Sequence, residues 1–195
     1  MTGTYPEKFT HNELIELGRA WCIKPYSACA DYGHSGCAVV ITEIKANTYA
    51  MEEPDVLGFC NKGSILIECK ASRADFLKDK EKVFRHPALK EMALGNQRWY
   101  LAPLGIIKPD EVPEDWGLLE VLRNRDILYP KIRAAIQESN KESEINILIS
   151  VMRRLNAEKD GHIAIMRYVE DLKGFGGPSK KKATFYINDE ETSNA

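Results

Sequence analysis

A chain of 195 residues has room for one α/β domain with a substantial core, or one such domain plus a small extension. Its 44% hydrophobic and 29% charged residues are ordinary for a globular protein, and a formal net charge of −2 excludes a strong global field drawing it onto nucleic acid. Any DNA or RNA surface must therefore be a local basic patch.

No run of about 18 apolar residues occurs, so no membrane span is expected. The N-terminal MTGTYPEKFTHNEL lacks the basic-then-apolar order of a secretory signal. The five cysteines are odd in number and contain no CxxC pair, which reads as reduced, intracellular thiols.

Thr10-His11-Asn12-Glu13 fits a capping box that opens a first helix, with Leu14, Leu17 and Trp21 on its apolar stripe. Pro25, Gly33 and Gly36 break that pattern, so residues 23–36 read as a loop or insertion. Cys29, His34 and Cys37 offer soft metal ligands there, but their spacing matches no familiar zinc finger, and packing explains them more simply. Cys37–Ile44 is rich in β-branched residues and predicts a strand with Cys37, Val39, Ile41 and Glu43 on one face.

A hairpin follows, from Asp55–Phe59 through Cys60-Asn61-Lys62-Gly63 to Ser64–Lys70. A four-residue turn pairs Phe59 with Ser64 and sets Asp55 opposite Glu68, whereas a two-residue Lys62-Gly63 turn sets Asp55 opposite Lys70. Either register puts Asp55 on the Glu68/Lys70 face. A three-residue turn opposes Asp55 to Cys69 instead and spoils the grouping unless a bulge corrects it.

Ser72-Arg73-Ala74-Asp75 is a second capping box, opening a helix to about Arg85. Gln97–Leu101 and Trp116–Leu122 read as further strands, separated by a loop rich in proline. Beyond Asp126 the pattern is helical: Tyr129–Gln137, then a helix after a Ser139–Glu142 capping box with Ile145, Leu148, Ile149, Met152 and Leu155 at core spacing, then a short helix at Ile163–Leu172. GFGGPSKKK (174–182) reads as a flexible linker before a short tail.

Glu68 and Lys70 lie two apart on one strand, so they project to the same side roughly 7 Å apart. Asp55 and Glu68 together offer hard oxygen ligands for a divalent cation such as Mg²⁺ that keeps several of its waters. Lys70 could orient an attacking water and offset charge on a phosphorane. The plainer account is a cross-strand ion pair on a solvated sheet. Against it, Glu68 and Lys70 end an apolar run, GSILI, of the kind found in buried central strands. A serine-capped helix also begins directly after them, bringing free helix amides near a phosphate position.

Pro54-Asp55, twelve residues, then Glu68-Cys69-Lys70 resembles the PD-(D/E)xK motif of the restriction-endonuclease-like nuclease superfamily. The block GSILIECKASRADF, with QRWYLAP and EVPEDWGLLEV, is similar to small stand-alone nuclease-like proteins of phages and bacteria. In that group a helix with a histidine near its start precedes a strand ending in glutamate, here His11 and Glu43. The resemblance spans about Thr10 to Leu122, and the 23–36 segment is longer than that pattern expects.

The resemblance implies Asp55 and Glu68 as metal ligands, Lys70 as the catalytic lysine, and Glu43 completing the acidic cluster directly or through a water. It implies a restriction-endonuclease-like α/β fold, a mixed central sheet flanked by helices in the order αβββαββ, here with a helical C-terminal extension. The expected domains are a nuclease-like core at 1–125, the helical extension at 126–173, and a linker and tail at 174–195. The implied activity is that of a Mg²⁺- or Mn²⁺-dependent deoxyribonuclease acting on duplex or branched DNA. Its setting would be DNA repair, recombination or phage DNA processing, in the cytoplasm of a bacterial or phage-infected cell.

Further substrate candidates are Ser72 and Arg73 at the second helix start, where a cap plus a solvated arginine is the simpler account. Lys78 is another, on a Lys78/Lys82/Arg85 stripe interleaved with Asp75, Asp79 and Glu81. The rival classes are a noncatalytic module of nuclease fold that binds nucleic acid or protein, and an adaptor that forms a homodimer through the Ile145–Leu155 helix.

Overall fold

The computed structural model describes residues 8–24, 36–43, 52–61, 63–82, 87–121 and 130–158. Eight elements lie within them: α1 (His11–Ile23), β1 (Val39–Thr42), β2 (Val56–Cys60), β3 (Gly63–Cys69), α2 (Arg73–Lys80), β4 (Gln97–Pro103), β5 (Trp116–Val121) and α3 (Lys141–Glu158), with 3₁₀ turns at Pro87–Met92 and Pro109–Glu111. The five strands form one mixed sheet in the order β1-β2-β3-β4-β5. β1/β2 and β2/β3 are antiparallel, while β3/β4 and β4/β5 are parallel. The protein is thus α/β, with helices flanking a mixed sheet. By packing, the chain divides into Met1–Leu148 and Ile149–Ala195.

The Thr10 capping box is present in both directions: Thr10 accepts from Glu13 N while the Glu13 carboxylate returns to Thr10 N. α1 lays Leu14, Ile15, Trp21 and Cys22 on Val56, Ile65, Ile67, Cys69, Trp99, Leu101, Leu119 and Val121, and this is the main apolar core. Because strand side chains alternate, Leu66, Glu68, Tyr100 and Leu118 take the opposite face. There Phe76 of α2 meets Tyr100 edge to face at 5.2 Å. Cys22, Cys37 and Cys69 are buried thiols outside any disulfide. Cys60 is disulfide-bonded, which corrects the expectation that all five thiols are reduced.

Cys37 does not belong to β1, which is limited to four residues. It packs into the α1 core ahead of the strand, on the side opposite to the one expected from strict alternation with Val39 and Ile41. α2 ends at Lys80 rather than near Arg85, because the amides of Glu81 and Lys82 turn back to Lys78 O and Asp79 O in tighter bonds. Residues 83–86 lie outside the described residues.

Three expectations for the C-terminal part need correction. Residues 130–137 are not helical. They run extended along β5, with Ile132 bridged to Leu118, and they place the Lys131, Ala135 and Gln137 amides on Leu118 O, Asp115 O and Asn96 O. β5 would otherwise be an open edge whose backbone groups lack partners, and that tertiary demand overrides the local helical pattern.

α3 does form, but its cap is Asn140, whose side chain accepts from Ser143 N at 2.8 Å, not Ser139. Its apolar stripe is not core: Ile145 is 54% exposed, and in the second unit Ile149, Met152 and Leu155 are each at least 40% exposed. A polar anchor explains this orientation. The buried Glu144 carboxylate accepts from Ser64 Oγ at 2.6 Å and Gly95 N at 3.0 Å, which turns Glu144 and Ile147 inward and Ile145 outward. The expected helix at 163–172 and the linker and tail lie outside the described residues.

Tight packing between β4 and β5 gives the fold a direct test. A methyl group built on Gly117 falls 2.1 Å from Cε3 of Trp99, which is buried and paired with Gly117 across the sheet. Gly117→Ala should therefore destabilise the protein by roughly 2–3 kcal/mol through overpacking. Chemical denaturation reads this, and an unchanged midpoint would mean that Trp99 does not lie over Gly117.

Candidate functional site

The hairpin register decides which side chains meet. Phe59 pairs with Ser64 and Val56 with Ile67, and Asp55 and Glu68 are the residues one position beyond that last pair. This is the register of the four-residue turn, and it excludes both alternatives. β3 parts from β2 at this point and continues against β4, where Lys70 N donates to Leu101 O at 2.8 Å. Asp55 fills the gap: its Oδ2 accepts from Cys69 N at 2.7 Å, and its Oδ1 lies 3.3 Å from His11 Nε2 at the start of α1.

Glu68 and Lys70 form the floor of the site. Lys70 Nζ stands 2.9 Å from Glu68 Oε2 and 3.0 Å from Asp79 Oδ1, and all three side chains are almost completely buried. Tyr100 donates to the other Asp79 oxygen at 2.8 Å, and Lys82 reaches Asp79 Oδ1 from the solvent side at 2.9 Å. The buried lysine thus lies between two carboxylates from different elements, Glu68 on β3 and Asp79 on α2. The rim is more open, with the Asp55 and His11 side chains 18% and 42% exposed.

Electrostatics bear on the pairing of the two acids. Burial pushes the Asp55 carboxyl up to about 6 from its ordinary 3.8, and the negative charge of Glu68 adds to the rise. The Cys69 amide, His11 and Lys70 oppose it. For Lys70, burial alone would lower the pKa, but the charges and hydrogen bonds of Glu68 and Asp79 outweigh it and hold the ammonium well above its ordinary range. Cys69, between Glu68 and Lys70, points into the α1 core. Burial, aided by the neighbouring carboxylates, raises its thiol well above the ordinary value.

The remaining candidates are placed differently. Glu43 is brought beside Asp55 by its backbone, its N–H donating to Asp55 O at 3.1 Å. It adopts a left-handed φ of 49° that ends β1, and its side chain is exposed. Ser72 caps α2 by accepting from Asp75 N at 3.2 Å, while the Asp75 carboxylate reaches Ala71 N. Arg73 is held by both oxygens of Glu111 and also donates to Ile106 O. Lys78 is exposed on α2. Arg85, Cys29 and His34 lie outside the described residues.

Asp79 and Tyr100 are the members that sequence reasoning missed. The available signal was Phe76, since Asp79 lies three residues on along α2 and so shares the buried side of that helix.

Asp55 and Glu68 suit a hard divalent cation in donor chemistry. They are two carboxylates on adjoining strands whose mutual repulsion a cation would relieve. Among the described residues no three or more His, Cys, Asp or Glu side chains gather to hold a metal ion, so any ion here would complete its shell with water or substrate oxygens.

No protein-family model matches this chain, and no curated protein matches it. Among solved structures it is similar to a protein of unknown function from Silicibacter pomeroyi, with 23% sequence identity and a TM-score of 0.49 over 75% of this chain and 92% of that one. Among the described residues no helix is long and apolar enough to cross a membrane.

Proposed function

We propose that this protein is a Mg²⁺- or Mn²⁺-dependent deoxyribonuclease of the restriction-endonuclease-like class, with Asp55, Glu68 and Lys70 as its reactive centre. The observation that carries the reading is the nearness of the Asp55 and Glu68 carboxylates at the open end of the β2–β3 hairpin, with Lys70 against Glu68 and a Ser72-capped helix directly beyond. The element order αβββαββ and the mixed sheet accord with that class of fold, and its motif residues stand where the chain leaves the β2–β3 hairpin.

In this reading Asp55 and Glu68 hold the cation, whose contribution is Lewis acidity toward a phosphoryl oxygen and a lowered pKa for water. The chain's own residues do the rest. Asp55 and His11 form the exposed rim that a phosphodiester meets first, above the Glu68/Lys70 floor. Lys70, held as a cation beneath the carboxylate pair, would offset charge that develops on the phosphoryl oxygens. Lys78, exposed on α2, remains available to a DNA phosphate, whereas Arg73 first has to leave Glu111. The substrate is duplex or branched DNA.

Glu68→Ala is a fair test because Lys70 keeps Asp79 as its counter-charge when Glu68 is removed. Purified protein incubated with linear, flapped and four-way DNA plus Mg²⁺ or Mn²⁺ should cleave at least one substrate. The rate should fall roughly a thousandfold or more in Glu68→Ala. No cleavage by the unaltered protein, or equal cleavage by the variant, sinks the enzyme reading. DNA binding without cleavage would establish the rival, a noncatalytic module of nuclease fold.

A further inference from the structure

We propose that Asp79, held by Tyr100, positions Lys70 so that Glu68 can exchange the lysine ammonium for a divalent cation. This rests on the reading of Asp55 and Glu68 as the metal pair, and it adds two residues whose role is to act through Lys70.

The geometry sets up a competition at Glu68. Glu68 Oε2 is paired with Lys70 Nζ at 2.9 Å, inside a region that leaves the Glu68 side chain 2% exposed. A metal ion entering beside Asp55 needs that same carboxylate. If Glu68 were Lys70's only partner, the exchange would strand a buried ammonium without a counter-charge, a heavy cost in a poorly solvated site. Asp79 removes that cost. Its Oδ1 holds Nζ at 3.0 Å from the other side, and it sits on α2, a different element from the β3 carboxylate that a metal would draw away.

Asp79 is itself fixed. Tyr100 donates to its second oxygen at 2.8 Å, and the Tyr100 ring is wedged between Phe76, edge-on at 5.2 Å, and Trp116, stacked at 4.6 Å. Lys82 approaches the same Asp79 oxygen as Lys70, but from the half-exposed side. The chain Tyr100–Asp79–Lys70–Glu68 therefore runs from the aromatic packing on the α2 face to the candidate metal ligand. Partners of this outer kind commonly control metal affinity without touching the ion.

The test is Mn²⁺ binding to the full chain, measured by titration calorimetry at neutral pH. Asp79→Asn should raise the Mn²⁺ Kd by roughly tenfold or more, and Tyr100→Phe by about threefold. The tyrosine variant is decisive because it changes no charge: a weaker Kd there cannot come from loss of a nearby carboxylate. It also carries the test alone if Asp79→Asn fails to fold. An unchanged Kd in Tyr100→Phe, whatever Asp79→Asn does, overturns the inference and leaves the metal pair standing. Absence of Mn²⁺ binding by the unaltered protein overturns the metal pair and the inference together.

Discussion

Lys70→Met should cost about 3–5 kcal/mol of stability at neutral pH, because it leaves two buried carboxylates without the cation that lies between them. The side chains of Glu68 and Asp79 are 2% and 1% exposed, so water cannot take over from Lys70. Asp79 keeps the Tyr100 hydroxyl and Lys82 when Lys70 is removed, and Glu68 loses the 2.9 Å ion pair that the buried lysine supplied. Adding Glu68→Leu to Lys70→Met should therefore recover part of the loss, since removing both members of a buried pair costs less than stranding one. Urea denaturation of the single and double variants reads both effects. A double variant less stable than Lys70→Met would show that Glu68 is stabilised by something other than Lys70.

Asp55 should make the protein lose stability as pH rises through weak acid. Its folded pKa of about 6 lies above its ordinary 3.8, so across that window the native state holds a proton that the unfolded chain has released. Native binding of the extra proton means that stability falls with rising pH between the two values, and the loss is complete above about 6. The side chain is only 18% exposed, so solvent screening reduces this little, and the full difference amounts to roughly 3 kcal/mol. Asp55→Asn isolates the effect. Near pH 3.5 the variant and the unaltered protein should be close in stability, and by pH 7 the asparagine form should be ahead by most of that amount. A constant gap across the range would mean that Asp55 ionises in the folded protein as it does in the unfolded chain.

The parts of the site that were legible in the sequence are those fixed by local counting. The turn Cys60–Gly63 sets the register, the register leaves Asp55 and Glu68 one position beyond its last pair, and strand alternation puts Lys70 beside Glu68. The caps at Thr10 and Ser72 were legible for the same reason, since each is closed by a residue three positions on.

What escaped depends on contacts between distant segments. Asp79 looks in sequence like one of several interleaved surface charges on α2, and only the return of β4 with Tyr100 makes it a buried anchor. Residues 130–137 carry a helical pattern, but the edge of β5 claims their backbone amides. In α3 the period identified the helix and misplaced its face, because the Glu144 contacts with Ser64 and Gly95 decide which side turns inward.

Those Glu144 contacts have a consequence for the order in which the molecule assembles. At the amino-terminal end of the β3–β4 pair, Ser64 and Asn96 bond to each other, and Ser64 is tied to a helix residue 80 positions away. At the opposite end of β3, Asp55 and Cys69 are joined across only 14 positions. Closing a short loop loses less chain entropy than closing a long one, so the acidic hairpin can form before the α3 lock exists. On a ribosome the hairpin also emerges well before α3, and the nascent chain would carry its paired acids while the far end of the same strands still awaits its anchor.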